Sequence, residues 1–229
     1  MFHIDSAISI YYPFKSAKKK VEYLCKELIN YFGEDGTIIV PTFTYSFTKK
    51  KNYNYKTSKS NVGYFSEVFR KLDNVKRTQH PLFSVAIKGK LEKKFLNCTL
   101  NDSFGKNTIF DLLFKYNGKI VCIACDLERI TFVHFVEQMF GVPYRYLKTF
   151  NGTIIRNKKK HRISTKYFVR NLKENYRTDL NILEKDKSTK KHINKLRFQR
   201  FYFKSIDAKN LYKSCFKLLK KNKYSLVSK

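Results

Sequence analysis

The chain has 229 residues and a mass of 27.3 kDa, and 42% of its residues are hydrophobic, which is enough material to bury a proper core. Its 48 basic and 18 acidic side chains leave a formal charge of +30, a value that ordinarily points to nucleic acid through counterion release. Here lysine greatly outnumbers arginine, and the lysines are spread over 18–20, 49–51, 158–160 and the last third rather than gathered on one element, so no nucleic-acid partner is expected.

No apolar run approaches the roughly 18 residues that cross a bilayer. The start Met1-Phe2-His3-Ile4-Asp5 lacks the basic region and small-residue cleavage site of a signal peptide, so a cytoplasmic location is expected. Five cysteines, an odd number, then imply reduced thiols.

In chain order, residues 2–10 read as a first strand. Ser16 can cap a helix in which Ala17, Val21, Leu24, Cys25, Leu28 and Phe32 recur at helical spacing and Gly33 supplies the stop. Residues 37–40 form a β-branched buried strand. The polar, tyrosine-rich stretch 49–60 has no periodicity and reads as a loop. Phe65, Val68, Phe69 and Leu72 are the inner stripe of a second helix, and Val85-Ala86-Ile87 enters the core as a strand. Strand and helix continue to alternate through 109–115, 120–125 and 130–140.

Cys122 and Cys125 have the CxxC spacing of redox and zinc sites. They fall in an apolar strand, where residues three apart point to opposite faces, and core packing is the expected role. From Asn151 the character shifts. Residues 153–156 and 163–168 suggest a hairpin joined through 157–160, residues 174–195 are charged and weakly periodic, and a strand at 198–206 precedes a helix carrying Leu211, Cys215, Leu218 and Leu219. The expected architecture is α/β, a layered sandwich with a central mixed, mostly parallel sheet flanked by helices, plus a C-terminal hairpin and helix. It is expected as one domain, with a cofactor and catalytic core over 1–150 and the appended elements over 151–229.

The stretch Arg77-Thr78-Gln79-His80-Pro81-Leu82-Phe83-Ser84 carries the first chemical signal. An imidazole near pKa 6.5 is suited to take a proton at neutral pH, and Pro81 fixes the backbone beside it. The other reading is a histidine that caps a turn.

The order of the pieces adds to this. Gly36-Thr37-Ile38-Ile39-Val40-Pro41-Thr42-Phe43-Thr44-Tyr45 is followed by the Val62-Gly63 helix ending in Arg70, then His80-Pro81 with Ser84, then Phe104-Gly105-Lys106-Asn107-Thr108, then Thr131-Phe132-Val133-His134-Phe135-Val136-Glu137. That series, over residues 2–152, resembles the aminoglycoside 3-N-acetyltransferase family, which uses acetyl-coenzyme A. The resemblance implies an acyltransferase that acetylates an amino group of an amino sugar or aminoglycoside, acetyl-CoA being the co-substrate. It implies His80 as general base, with Glu128 as the carboxylate that orients it and Asp126 as the neighbouring register. Thr131, His134 and Glu137 line the acceptor side, with Glu67 among the site acids.

Asp5-Ser6-Ala7-Ile8-Ser9 lies where the family has its cofactor-contacting turn. This implies a cofactor contact at Ser6, with Thr42, Thr44 and Ser84 as companions in the groove. The family needs no metal, and none is expected here. A second class remains open, a non-catalytic relative that keeps the fold as a binding or surface-associated protein.

Taken as a helix surface, Thr131, His134, Glu137 and Gln138 form a polar stripe of the kind that usually faces water. A pocket for a drug with several ammonium groups needs several carboxylates, and this region has few: Glu67, Asp102, Asp126, Glu128 and Glu137. The expected acceptor is therefore an amino sugar on an anionic carrier rather than a polycationic drug.

Overall fold

Residues 1–229 are described by a computed structural model with an α/β fold. The chain packs as two units, each assembled from two separate stretches. The first combines Met1–Asn101 with Phe150–Thr165, and the second combines Asp102–Thr149 with Lys166–Lys229.

In the first unit the helix Ala17–Phe32 begins and ends where capping chemistry requires. Ser16 accepts from the Lys19 amide at 3.5 Å, and Gly33 takes a φ of 56° that side-chain-bearing residues disfavour. Val21, Leu24 and Cys25 are its buried face. Strand Val85–Gly89 lies between Thr37–Pro41 and Lys76–Arg77 and pairs antiparallel with both, Val40 opposite Ala86 and Arg77 opposite the same residue. Val40, Ala86 and Ile87 are fully buried, which explains why both strands read as continuous apolar runs.

The ladder continues beyond the strand ends. The Thr42 amide donates to Ser84 O at 2.9 Å and the Thr44 amide to Leu82 O at 3.1 Å. Residues 42–44 and 82–84 therefore run side by side, with the turn at His80 and Pro81 just beyond.

In the second unit strand Lys119–Ile123 pairs antiparallel with Phe201–Asp207, which pairs antiparallel with Asn194–Phe198. Helix Val133–Phe140 packs on Ala208–Lys221, with the Phe140 and Phe216 rings at 5.1 Å. No helix is long and apolar enough to cross a membrane.

Several elements differ from the sequence expectation. The mixed α/β architecture is present; the pairings above are antiparallel, while Tyr53–Asn54 pairs parallel with residues 154–155 and Asp102 makes a parallel bridge with Lys166. The first strand stops at Ile4, because Asp5 accepts from the Ala7 amide at 2.9 Å and starts a 3-10 helix over Ser6–Tyr11. The hairpin strands Arg145–Arg156 and Lys159–Arg170 are longer than their apolar cores, and they meet in a two-residue turn with φ of 48° at Asn157 and 63° at Lys158.

The closing strand expected at 198–206 lies at Phe201–Asp207, and a further strand, Asn194–Phe198, precedes it across a turn at Gln199, whose φ is 53°. Ala124, at a φ of 56°, ends strand Lys119–Ile123 and turns the chain, so the opposite-face argument for Cys122 and Cys125 does not apply. Their thiols interact, and Cys122 is buried while Cys125 is half-buried.

Candidate functional site

Helix Val133–Phe140 is apolar on most of its surface, with Val133, Phe135 and Val136 buried. Its fourth buried residue is Glu137, with no exposed surface at all. A carboxylate in that position must be fully partnered, and three groups supply this. His134 Nδ1 lies 2.7 Å from Oε2, Arg145 Nε forms an ion pair with Oε2 at 2.8 Å, and the Tyr144 hydroxyl donates to Oε1 at 2.9 Å. The polar stripe of this helix is thus not a solvated face. Glu137 points inward, and His134 stands at the edge with 18% of its side chain exposed.

The electrostatics fix the protonation states. Burial alone would push the Glu137 carboxyl up, but His134, Arg145 and Tyr144 outweigh it and hold it below the usual carboxylate range. Burial, and then the Arg145 charge, hold His134 below the usual imidazole value against the opposite pull of Glu137. Burial first and Glu137 second push the Tyr144 phenol up, so it remains a donor. The result is a neutral imidazole whose Nδ1 proton is given to a carboxylate, which leaves the Nε2 lone pair as its basic atom.

Phe104 sets its ring edge-on to His134 at 5.5 Å. Beside it Gln138 Nε2 donates to the Asp102 carboxylate at 3.2 and 3.3 Å, and Asp102 accepts from the Phe104 amide at 3.0 Å. Thr131 is half-buried in the turn before the helix, its carbonyl accepting from the His134 amide at 3.0 Å.

His80 has different surroundings. It is 3% exposed, and its Nδ1 accepts from the Leu82 amide at 3.2 Å and the Phe83 amide at 3.0 Å. With Nδ1 an acceptor, the neutral ring carries its proton on Nε2, 3.3 Å from Thr165 Oγ1. The lone pair a general base would use is spent on the backbone of its own turn, and this arrangement corresponds to the turn-capping reading. Glu128 is exposed on the one-turn 3-10 helix Leu127–Arg129, where solvent would screen any hold on an imidazole.

The remaining residues fall into three groups. Thr42 and Ser84 are fully buried. The Ser84 hydroxyl donates to Thr42 O at 2.8 Å, and Arg77 Nε donates to Thr42 Oγ1 at 3.0 Å and Ser84 Oγ at 3.2 Å. These hydroxyls cradle a buried guanidinium. Thr44 donates to Pro81 O at 2.7 Å and accepts from Ser46 Oγ at 2.9 Å.

Both Glu67 oxygens are occupied as well. Oε2 accepts from the Ser60 amide at 2.8 Å and Arg70 Nε at 2.7 Å, and Oε1 meets Arg70 at 2.6 Å and Lys71 at 3.0 Å. Glu67 staples loop 53–62 to helix Tyr64–Phe69. Ser6 is half-buried at the start of its 3-10 helix, its carbonyl accepting from Ser9 Oγ at 2.7 Å.

Sequence reasoning missed Arg145 and Tyr144. They follow Gly141-Val142-Pro143 at the start of a strand, and nothing in their spacing ties them to the helix before it.

The profile of the aminoglycoside 3-N-acetyltransferase family matches residues 12–220. Among curated proteins, the SPbeta prophage-derived aminoglycoside N(3')-acetyltransferase-like protein YokD of Bacillus subtilis (strain 168) is 24% identical over 151 residues, which is 56% of this chain and 55% of that protein. The chain therefore aligns with little more than half the length of that relative.

The crystal structure of YokD superimposes with a TM-score of 0.77 at 17% identity, over 96% of this chain and 86% of that one. Aminoglycoside acetyltransferase AAC(3)-Xa gives a TM-score of 0.80 at 14% identity, over 99% and 86%. A binary complex of AAC-IIIb with CoASH gives 0.75 at 13%, over 96% and 89%. These likenesses show the fold.

Proposed function

The chain belongs to the aminoglycoside 3-N-acetyltransferase family, and on that premise we propose that it is an acetyl-CoA-dependent N-acetyltransferase acting on an amino group of an amino sugar or aminoglycoside, with His134 rather than His80 as general base. The observation that carries this is the 2.7 Å contact between His134 Nδ1 and a fully buried, triply partnered Glu137. A base needs a lone pair directed away from its anchoring partner and a counter-ion for the cation it becomes. His134 has both, whereas the Nδ1 of His80 is committed to two backbone amides.

Acetyl-CoA supplies an activated acyl group as its thioester. The chain's part is to take the acceptor's proton at His134 Nε2 as its nitrogen forms the new bond to the acyl carbon, to hold the resulting imidazolium against Glu137, and to return that proton to the departing sulfur. Direct transfer of this kind uses no acyl-enzyme. That agrees with the cysteines, since burial pushes the Cys25 and Cys98 thiols up to about 12 and raises Cys215, while the hydrogen bond with Cys125 and then burial raise Cys122. Thiol release from acetyl-CoA in the presence of a panel of amino sugars and aminoglycosides tests the reading. Turnover in the wild type that is lost in His134→Gln supports it, and turnover that survives in His134→Gln removes His134 from the mechanism.

A further inference from the structure

Between Asp35 and Glu67 the chain contains no acidic residue, yet it carries Lys49, Lys50, Lys51, Lys56 and Lys59. In the fold this segment encloses a cavity of about 220 Å³ whose lining includes Lys49, Lys51, Lys59, Asn52, Asn61 and Ser46. None of the five lysines has a carboxylate partner among the molecule's ion pairs.

The walls are fixed rather than loose. The Lys51 amide donates to Ser46 O at 2.9 Å, Asn61 Nδ2 to Thr44 O at 2.6 Å and the Asn61 amide to Phe43 O at 2.8 Å. Behind the wall lies Arg77, 6% exposed, whose guanidinium donates to the carbonyls of Ser58 and Thr42 at 2.5 Å and of Tyr55 at 3.2 Å. It has no carboxylate within ion-pair distance, and Glu67 acts on it only from further away, so a buried cation backs a cavity lined by three more. Positive charge gathered in this excess over nearby carboxylates favours an anion at its mouth.

We propose that this cavity binds a phosphate group carried by one of the two reactants. The inference rests on the acetyl-transfer reading only for what the reactants are. At about 220 Å³ the cavity lies below the roughly 300–1,000 Å³ of sites that enclose a whole small molecule, so it suits one charged group and leaves the rest of the ligand outside. A phosphate takes charge-assisted hydrogen bonds from several ammonium groups at once, and the asparagine amides add neutral donors. The same field opposes a polycationic acceptor. The phosphate belongs either to coenzyme A or to an acceptor amino sugar that bears one, and the two sources separate experimentally.

The test is isothermal titration at low ionic strength with three proteins: wild type, the triple variant Lys49→Gln, Lys51→Gln, Lys59→Gln, and a charge-matched control, Lys158→Gln, Lys159→Gln, Lys160→Gln, on the exposed hairpin turn. Inorganic pyrophosphate is the probe common to all three. The cavity variant is expected to bind it about tenfold or more weakly, from loss of charge-assisted contacts, and the control less than about twofold.

Two matched pairs identify the source, coenzyme A against its 3′-dephospho form and UDP-glucosamine against glucosamine. The pair whose phosphate-dependent gain disappears in the cavity variant names the reactant. Equal weakening in both triple variants would reduce the effect to the general field of the molecule and overturn the site, as would unchanged affinity for every phosphate ligand in the cavity variant. Because the readout is binding, a failure here is distinct from a failure of acetyl transfer, which is read by thiol release.

Discussion

His80 and His134 are both largely enclosed imidazoles, each beside an apolar run, and each within a motif that resembles a known acetyltransferase family. What separates them is the partner on Nδ1. His80 Nδ1 receives protons from two amides, whereas His134 Nδ1 meets the carboxylate of Glu137. The first arrangement fixes a turn, and the second leaves the Nε2 lone pair outside the contact with its anchor. Whether a histidine can act chemically thus depends less on its burial than on whether its inner nitrogen donates or accepts.

The largest effect expected from this contrast is on turnover. His134→Gln should lower kcat by roughly 100-fold to 10,000-fold, the usual contribution of a positioned base, with the melting temperature changed little because the glutamine amide can still donate to Glu137. A variant within threefold of wild type would remove the distinction between the two rings.

Next in size is the support for the base. Glu137→Leu leaves Arg145 buried without its counter-ion, which costs about 3–5 kcal/mol of stability, and it also deprives His134 of its orienting carboxylate. Chemical denaturation of Arg145→Met should show a similar loss. Small losses in both would mean that the network tolerates an unpaired charge and that Glu137 is not the anchor described above.

His80→Leu provides the counterpart. It strands the Leu82 and Phe83 amides, each at about 1–3 kcal/mol, so the unfolding midpoint should fall while kcat per folded molecule stays within a few-fold. A large loss of kcat at unchanged stability would return His80 to the chemistry.

The smallest effects are pH-dependent. Because burial and Arg145 hold His134 below its ordinary value of 6.5, the neutral form persists through neutrality. The acid limb of kcat/KM should have its midpoint below about 6.5, and a midpoint above that value would mean that Glu137 dominates. Burial pushes the Glu67 carboxyl up, but Arg70, the Ser60 amide and Lys71 overcome it and hold the group at about 2 rather than 4.5. A carboxyl depressed in the folded state stabilises above its unfolded value, and that contribution fades as pH falls from about 4.5 towards 2. After solvent screening it is about 1–2 kcal/mol. Urea midpoints at neutral and acid pH should separate wild type from Glu67→Gln at the former and bring them together at the latter.

Much of the scaffold was legible in sequence. Ser16 and Gly33 bound a helix at its ends, Leu211, Cys215, Leu218 and Leu219 mark the buried face of another, and His134 and Glu137 stand on a third with Thr131 in the turn before it. These features are local, set by capping and periodicity within a few residues. The turn at Gln199 and the one at Ala124 were not legible, because both place a positive φ on a residue that does not announce it.

The sequence by itself therefore determined many of the elements, the family resemblance and the candidate site residues. Only the tertiary structure decided what each histidine's Nδ1 meets, a carboxylate at His134 and two backbone amides at His80. Proton affinity depends on neighbours, and the neighbours that matter for His134 include Arg145 and Tyr144, brought to Glu137 by a strand that no periodicity links to its helix. The cavity over loop 49–61 follows the same logic: an acid-free, lysine-rich stretch is visible in the sequence, and the enclosure that turns it into a candidate site comes from carbonyl contacts to Arg77 and Asn61.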